Sequence, residues 1–144
     1  MTLTLLHLDG ASKEESLNAA GLNFEAQDWS RDGKWIVFQL SSQKTGRDLM
    51  MLPITGDRKP VPFLQTPASE WEARISPDGH WMAFSQDDGG QFSVYVQGIS
   101  PEGHATGVKY RVSSGAGHNP HWRSDGKELV YLGANKLYAV PVTT

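Results

Sequence analysis

Apolar residues along this chain fall in short runs broken by Gly, Pro, Asp and Ser, without the three-to-four-residue spacing of an amphipathic helix. The run Trp35-Ile36-Val37-Phe38 is apolar at every position. In an extended strand Trp35 and Val37 face one side, and Ile36 and Phe38 face the other. Met82 and Phe84, then Leu129 and Tyr131, repeat the second of these faces. A strand that is apolar on both sides has to be covered on both sides. A lone sheet with one wet face does not do that; a sheet stacked between two others does.

The runs recur with a period. Trp29-Ser30-Arg31-Asp32-Gly33-Lys34-Trp35, Ile75-Ser76-Pro77-Asp78-Gly79-His80-Trp81 and Trp122-Arg123-Ser124-Asp125-Gly126-Lys127-Glu128 align, with their Asp-Gly pairs at 32, 78 and 125. A second block follows each: Leu49-Met50-Met51-Leu52-Pro53-Ile54, Val94-Tyr95-Val96-Gln97-Gly98-Ile99 and Leu137-Tyr138-Ala139-Val140-Pro141-Val142. Residues 3–10 give this second block once more. Asp-Gly between apolar runs is a hairpin signal, because Gly accepts the positive φ that tight turns demand. In Ser76-Pro77-Asp78-Gly79, Pro77 pre-sets the turn and Gly79 supplies its left-handed exit.

Each unit therefore divides into four strands: one ending at the Asp-Gly turn, the two-sided run, the second block, and a weaker outer strand near residues 62–65 or 109–113. Pro62 cannot donate to a ladder and suits an outer edge. Only residues 12–20 have helical propensity, and their place in the repeat makes them an outer strand and turn. Four strands in roughly 40–45 residues is the pattern of a β-propeller blade. The fold expected is all-β, a β-propeller with four-stranded antiparallel blades. Residues 1–144 form a single partial propeller domain: a blade remnant at 1–22, blades at 23–67 and 68–115, and an incomplete blade at 116–144.

Length then changes the picture. Four blades, the smallest ring, need about 184 residues at this period, and the chain has 144. The ring is thus incomplete unless chains associate, and self-association to complete it is expected, because open blade faces and strand edges invite pairing. Gly and Pro together are plentiful (15 and 8), yet 38% of residues are hydrophobic, so the chain is turn-rich and globular. A formal charge of −3 with no basic stripe argues against a nucleic-acid partner. No apolar run reaches the roughly 20 residues of a membrane span, and the first residues have neither the charge nor the length of a signal peptide. With no cysteine, neither disulfide nor thiol chemistry enters.

The turns Ser76-Pro77-Asp78-Gly79-His80-Trp81 and His121-Trp122-Arg123-Ser124-Asp125-Gly126-Lys127 resemble the TolB-type, WD40-like propeller repeats, as does Asp57-Arg58-Lys59-Pro60-Val61-Pro62-Phe63-Leu64. The nearest likeness is to propellers C-terminal to bacterial serine/threonine kinases. That resemblance implies a propeller attached to a larger signalling protein, and a location outside the cytoplasm, because a membrane helix commonly separates kinase from propeller. The sequence departs from the pattern in two turns, which read Ser-Arg-Asp-Gly and Arg-Ser-Asp-Gly, and at His121, where Arg is expected. No nucleotide loop, His-Arg-Asp or Asp-Phe-Gly of a kinase is present.

Candidate chemistry is sparse. His118-Asn119-Pro120-His121 invites a metal, but Pro120 excludes a helix interior and a strand points the two rings to opposite faces. Asp87-Asp88-Gly89-Gly90 lacks the alternating carboxylates of a calcium loop and reads as a hairpin turn. Ser113-Ser114-Gly115-Ala116-Gly117 lacks the Lys and helix of a phosphate cradle. No Gly-x-Ser-x-Gly elbow exists for a hydrolase. Asp32, Asp78 and Asp125 are explained by turn chemistry, and Trp29, Trp35, Trp81 and Trp122, in phase with the repeat, by blade packing. No metal or cofactor is expected, and the chain is not read as an enzyme.

The function expected is a non-catalytic scaffold binding a protein or small ligand through loops at one end of the channel, as a sensory or docking module. The contact residues expected are Glu70, Trp71, His118 and Asn119, from the loops that lead from the outer strand of one blade to the first strand of the next, joined by Asp87, Asp88 and Gln91 in the loop between the second and third strands. The alternative is the propeller portion of a prolyl-oligopeptidase-like hydrolase, gating a separate catalytic domain. A third class is a carbohydrate-active propeller with channel histidines and a metal.

Overall fold

The structure, a computed structural model, describes residues 3–6, 13–17 and 23–143. The described residues hold thirteen strands and no helix. β1 (Thr4–Leu6) pairs with β2 (Glu14–Ser16). β3 (Phe24–Trp29), β4 (Trp35–Ser42), β5 (Gly46–Pro53) and β6 (Val61–Leu64) form a four-stranded sheet, and β7 (Glu70–Ile75), β8 (Trp81–Asp87), β9 (Phe92–Ile99) and β10 (Ala105–Arg111) form another. β11 (His118–Trp122), β12 (Glu128–Gly133) and β13 (Lys136–Pro141) complete the set. Every pairing is antiparallel between strands consecutive in sequence. This is an all-β propeller arrangement that stops short of a ring. Within the stretch of helical propensity, residues 14–16 are a strand at the outer position; residues 7–10 of the N-terminal repeat and 18–20 lie outside the described residues. No helix of the described residues is long and apolar enough to cross a membrane.

The Asp-Gly turns owe their shape to side chains. Ser30 Oγ donates to Asp32 Oδ1 at 2.7 Å and accepts from Trp35 N at 2.9 Å, while Asp32 Oδ1 accepts from Lys34 N at 3.1 Å. Ser76, Asp78, Trp81 and His80 repeat the arrangement at 2.5, 2.9 and 3.1 Å. The Ser30 hydroxyl and the Lys34 amide hold Asp32 below the usual carboxylate pKa. In the third turn Arg123 stands where Ser stands in the others, and its guanidinium donates to Asp125 instead. Ser76 is buried, so Ser76→Ala orphans the Trp81 amide and is expected to cost about 1–3 kcal/mol in urea denaturation. Ser124→Ala, in the turn that uses Arg123, is expected to stay within about 0.5 kcal/mol.

The two-sided strands make the seams between sheets. Val37, Leu49, Met51 and Phe63 from the β3–β6 sheet meet Ala73, Ile75, Met82 and Phe84 from the next. On the opposite face Phe24, Ile36, Phe38, Met50 and Leu52 meet Leu17, Leu3 and Leu5. Ala83, Val94 and Val96 meet Leu129 and Tyr131 in the third seam. In the three larger sheets the first strand is the innermost, and β3, β7 and β11 touch in succession: Ile75 N donates to Asp28 Oδ2 at 2.8 Å, Arg74 Nη1 to Gln27 O at 2.7 Å, and Trp122 Nε1 to Arg74 O at 3.0 Å.

One packing expectation is corrected. Trp35, Trp81 and Trp122 are partly buried in the seams, but Trp29 is 45% exposed. Its repeat equivalent, Trp122, lies on the inner strand of the preceding sheet. On that side of Trp29 stands the two-stranded β1–β2 sheet, which offers no inner strand among the described residues.

Candidate functional site

β7 and β11 begin at the end of the stack where the β8–β9 hairpin also turns, so the expected contact residues share that end. Local structure there is set by bulges. The β7–β8 register shifts between Trp71 and Arg74, and the β11–β12 register shifts between His118 and His121. At the two bulges Glu72 and Asn119, neither of them glycine, both take φ of 55°. The left-handed backbone is costly for such residues and persists only where the surroundings enforce it.

Hydrogen bonds do the enforcing. Glu72 Oε2 accepts from Ser85 Oγ at 2.6 Å and from Asn119 N at 2.6 Å, and Ser85 Oγ accepts from the same amide at 3.1 Å. His118 Nδ1 lies 3.9 Å from Glu72 Oε1 with its ring about half exposed, and His121 Nε2 lies 3.2 Å from Asn119 Oδ1. Burial, with the nearby Arg74 charge, pushes His121 below the usual histidine pKa. Beside this group Trp71 meets Phe92 edge-on at 4.8 Å, and the Arg47 guanidinium sits 5.4 Å over the indole. Phe92 is 43% exposed, so the platform is open to solvent.

Trp71, His118 and Asn119 lie within first strands, not in the loops before them; Glu72 ties Asn119 and neighbours His118, and Trp71 precedes Glu72 with its own contacts to Phe92 and Arg47. Glu70 does not join them as a solvent-facing contact. Its side chain is fully buried, Thr66 Oγ1 donates to one carboxylate oxygen, and the other has no partner. Burial, reinforced by the Asp48 charge, pushes its pKa up to about 7 against the Thr66 hydrogen bond. The reason is register: Glu70 pairs with Gln86, and alternation turns its side chain inward while Trp71 turns out.

The hairpin residues form a separate network. Asp88 N donates to Gln91 O at 2.8 Å, closing the turn, and Asp87 Oδ1 accepts from Gly90 N at 2.5 Å. Asp88 accepts from Gln86 Nε2 at 2.6 Å and Tyr95 OH at 2.7 Å, while Lys109 Nζ reaches Gln86 Oε1 at 2.5 Å and covers the Tyr95 ring at 4.6 Å. Partial burial alone would raise Asp88, but the Tyr95, Ser93 and Gln86 hydrogen bonds and the Arg111 charge outweigh it and lower its pKa. Asp88 is thus tied toward β9 and β10, Gln91 is exposed, and Asp87 is held to Ser69 O by its amide at 2.9 Å.

Glu72, Ser85, Arg47 and Phe92 are absent from the expected set. A signal existed for Glu72, which precedes Asn119 by 47 residues and shares its repeat phase. The group presents a half-exposed imidazole and an open aromatic platform beside a carboxylate that is already hydrogen-bonded. Ser85 donates to the Glu72 carboxylate at 2.6 Å, and its hydroxyl is fully buried, away from solvent. Among the described residues no three His, Cys, Asp or Glu side chains gather to hold a metal ion.

No family model matches the chain, and no curated protein does. Solved structures do. TolB from Acinetobacter baumannii superposes with a TM-score of 0.75 at 17% identity over 97% of this chain and 35% of that one. A structure designated TolB, from Agrobacterium tumefaciens, gives 0.49 at 20% identity over 90% and 62%. The chain thus has a TolB-like propeller fold and spans about a third of the length of the first of these proteins.

Proposed function

We infer that the chain is a non-catalytic propeller scaffold that binds a protein or small ligand through the Trp71–His118 end of its inner strands. Its setting is a sensory or docking module of a larger bacterial signalling protein. One observation carries the reading: Glu72 and Asn119 adopt the same strained backbone on adjacent inner strands, locked by one carboxylate. That lock fixes the half-exposed His118 ring and the Trp71–Phe92–Arg47 platform on rigid strands, and preorganised groups lose little freedom on binding. Burial of the Ser85 hydroxyl, which keeps it from a substrate, supports the non-catalytic assignment.

The test compares immobilised wild-type chain with Trp71→Ala and His118→Ala in capturing ligands from cell extract. A ligand held by the wild type is expected to bind at least about tenfold more weakly to each variant, with unfolding midpoints unchanged. Equal retention by all three forms places the contact elsewhere. A kinase or regulator encoded in one reading frame with the propeller supports the docking role, whereas an adjoining α/β-hydrolase supports a gating role.

A further inference from the structure

At the end of the stack opposite Trp71, the two four-stranded sheets border a cavity of about 260 Å³. β7 runs from the Trp71 end to this one, and the cavity lies where the β3–β4, β7–β8 and β9–β10 turns meet. It has room for about nine water-sized groups. Met51 and Ile75, both buried, line it from the two sheets, with the partly buried Trp35 and Ile99 beside them. Toward the seam its lining is therefore apolar.

Carboxylates reach it from two copies of the same turn. Turn formation uses one oxygen of each: Asp32 Oδ1 accepts from Ser30 Oγ and Lys34 N, and Asp78 Oδ1 from Ser76 Oγ and His80 N. Asp32 Oδ2 has Lys34 Nζ 3.4 Å away, on a side chain that is 73% exposed. Asp78 Oδ2 takes no hydrogen bond or ion pair from the described residues. The turn itself does not require such free oxygens, since in the third copy Arg123 takes both oxygens of Asp125. Partial burial alone would raise Asp78, but the Ser76 hydroxyl and the His80 amide outweigh it and lower its pKa, and Asp32 is lowered too. Both carboxyls are thus ionised at neutral pH. The basic side chains at the rim, Lys34 and His80, are exposed.

We propose that this cavity binds a small organic cation, a primary ammonium held by Asp32 and Asp78 on an apolar stem or ring laid against Trp35, Met51, Ile75 and Ile99. An apolar lining with a few placed polar groups is the ordinary make-up of a small-molecule site. Hydrogen bonds from an ammonium to a carboxylate are about twice as strong as neutral ones, and an indole face attracts a cation besides. Two carboxylates with free oxygens repel an anion. The same ammonium comes from two sources, a free amine or the lysine side chain of a polypeptide. The site is remote from the Trp71–His118 end and stands or falls without it.

The 144-residue chain is titrated with phenethylamine and, separately, with Nα-acetyl-lysine N-methylamide, followed by NMR at the Trp35 indole and the Gly33 and Gly79 amides. Saturable binding is expected, at least about tenfold tighter than that of 2-phenylethanol, which lacks the charge. Tighter binding of phenethylamine assigns the site to a free amine, and tighter binding of the lysine derivative to a polypeptide lysine. Asp78→Asn keeps an acceptor for the turn and is expected to weaken binding at least about tenfold. Lys34→Gln removes a competing exposed cation and is expected to strengthen it about twofold. Because the Lys34 side chain is 73% exposed, that variant reports on the charge even if Asp78→Asn fails to fold. The proposal is overturned if neither amine saturates at several millimolar, or if 2-phenylethanol binds as tightly. It is also overturned if the two substitutions leave the affinity unchanged.

Discussion

Raising the pH from 4.5 to 8 removes about 3 kcal/mol of stability from the wild-type chain relative to Glu70→Gln. The cause is local. Glu70 is fully buried, one of its oxygens has no hydrogen-bond partner, and burial together with the Asp48 charge lifts its pKa from 4.5 to about 7. The folded chain therefore binds the Glu70 proton more tightly than the unfolded chain does. The stabilisation is complete below the unfolded pKa near 4.5, declines as the pH climbs, and is gone once it passes about 7. Lys109 opposes the shift by its charge, and Thr66 by its hydrogen bond. Glu70→Gln keeps an acceptor for Thr66 and removes the ionisation, so its own Glu70-dependent slope is zero. Urea melts of the two proteins at pH 4.5, 6 and 8 give the difference directly; parallel curves would show that Glu70 is not the source.

Phe84→Ala is expected to destabilise the chain by about 3–5 kcal/mol. Phe84 is fully buried in the seam between the two four-stranded sheets, edge-on to Phe63 at 6.4 Å and stacked on Tyr95 at 6.0 Å. Truncation removes apolar contact with both sheets at once and leaves a cavity that neither can close without shifting its strands. Domains of this size hold only about 5–15 kcal/mol in total, so the variant is expected to be partly unfolded at 37 °C by circular dichroism. Phe92→Ala, at a ring that is 43% exposed, serves as the control and is expected to change stability by less than about 1 kcal/mol.

Much of the fold was legible because its causes are local and repeated. The Asp-Gly turns and the two-sided runs at Trp35, Trp81 and Glu128 announce strands, and their period announces stacked sheets. Even the outer strand at Pro62 followed from a missing donor. The exposure of Trp29 was not legible, since in sequence it is indistinguishable from Trp122; what differs is the sheet beside it. Glu70 was expected as an exposed contact because it leads into a first strand at the end of the channel, and its burial depends on a strand register that begins one residue before the bulge. The left-handed backbone at Glu72 carries no compositional mark, whereas Asn119 belongs to a residue type that adopts it comparatively readily. Trp71, His118 and Asn119 were singled out as loop residues and lie in strands, and the Glu72 carboxylate that ties Asn119 was passed over although it shares the repeat phase of Asn119.

The apolar seams described above each join two neighbouring sheets, and across them, among the described residues, a single hydrogen bond, Arg31 Nη1 to Ser124 O at 3.3 Å, links the turns of the β3–β6 and β11–β13 sheets. Cohesion in such a molecule is a nearest-neighbour sum, as in a one-dimensional Ising chain, with no single kernel on which everything depends. Among the described residues the β7–β10 sheet takes part in two seams and the β11–β13 sheet in one, so the layers are held unequally and a single melting temperature is an average over them.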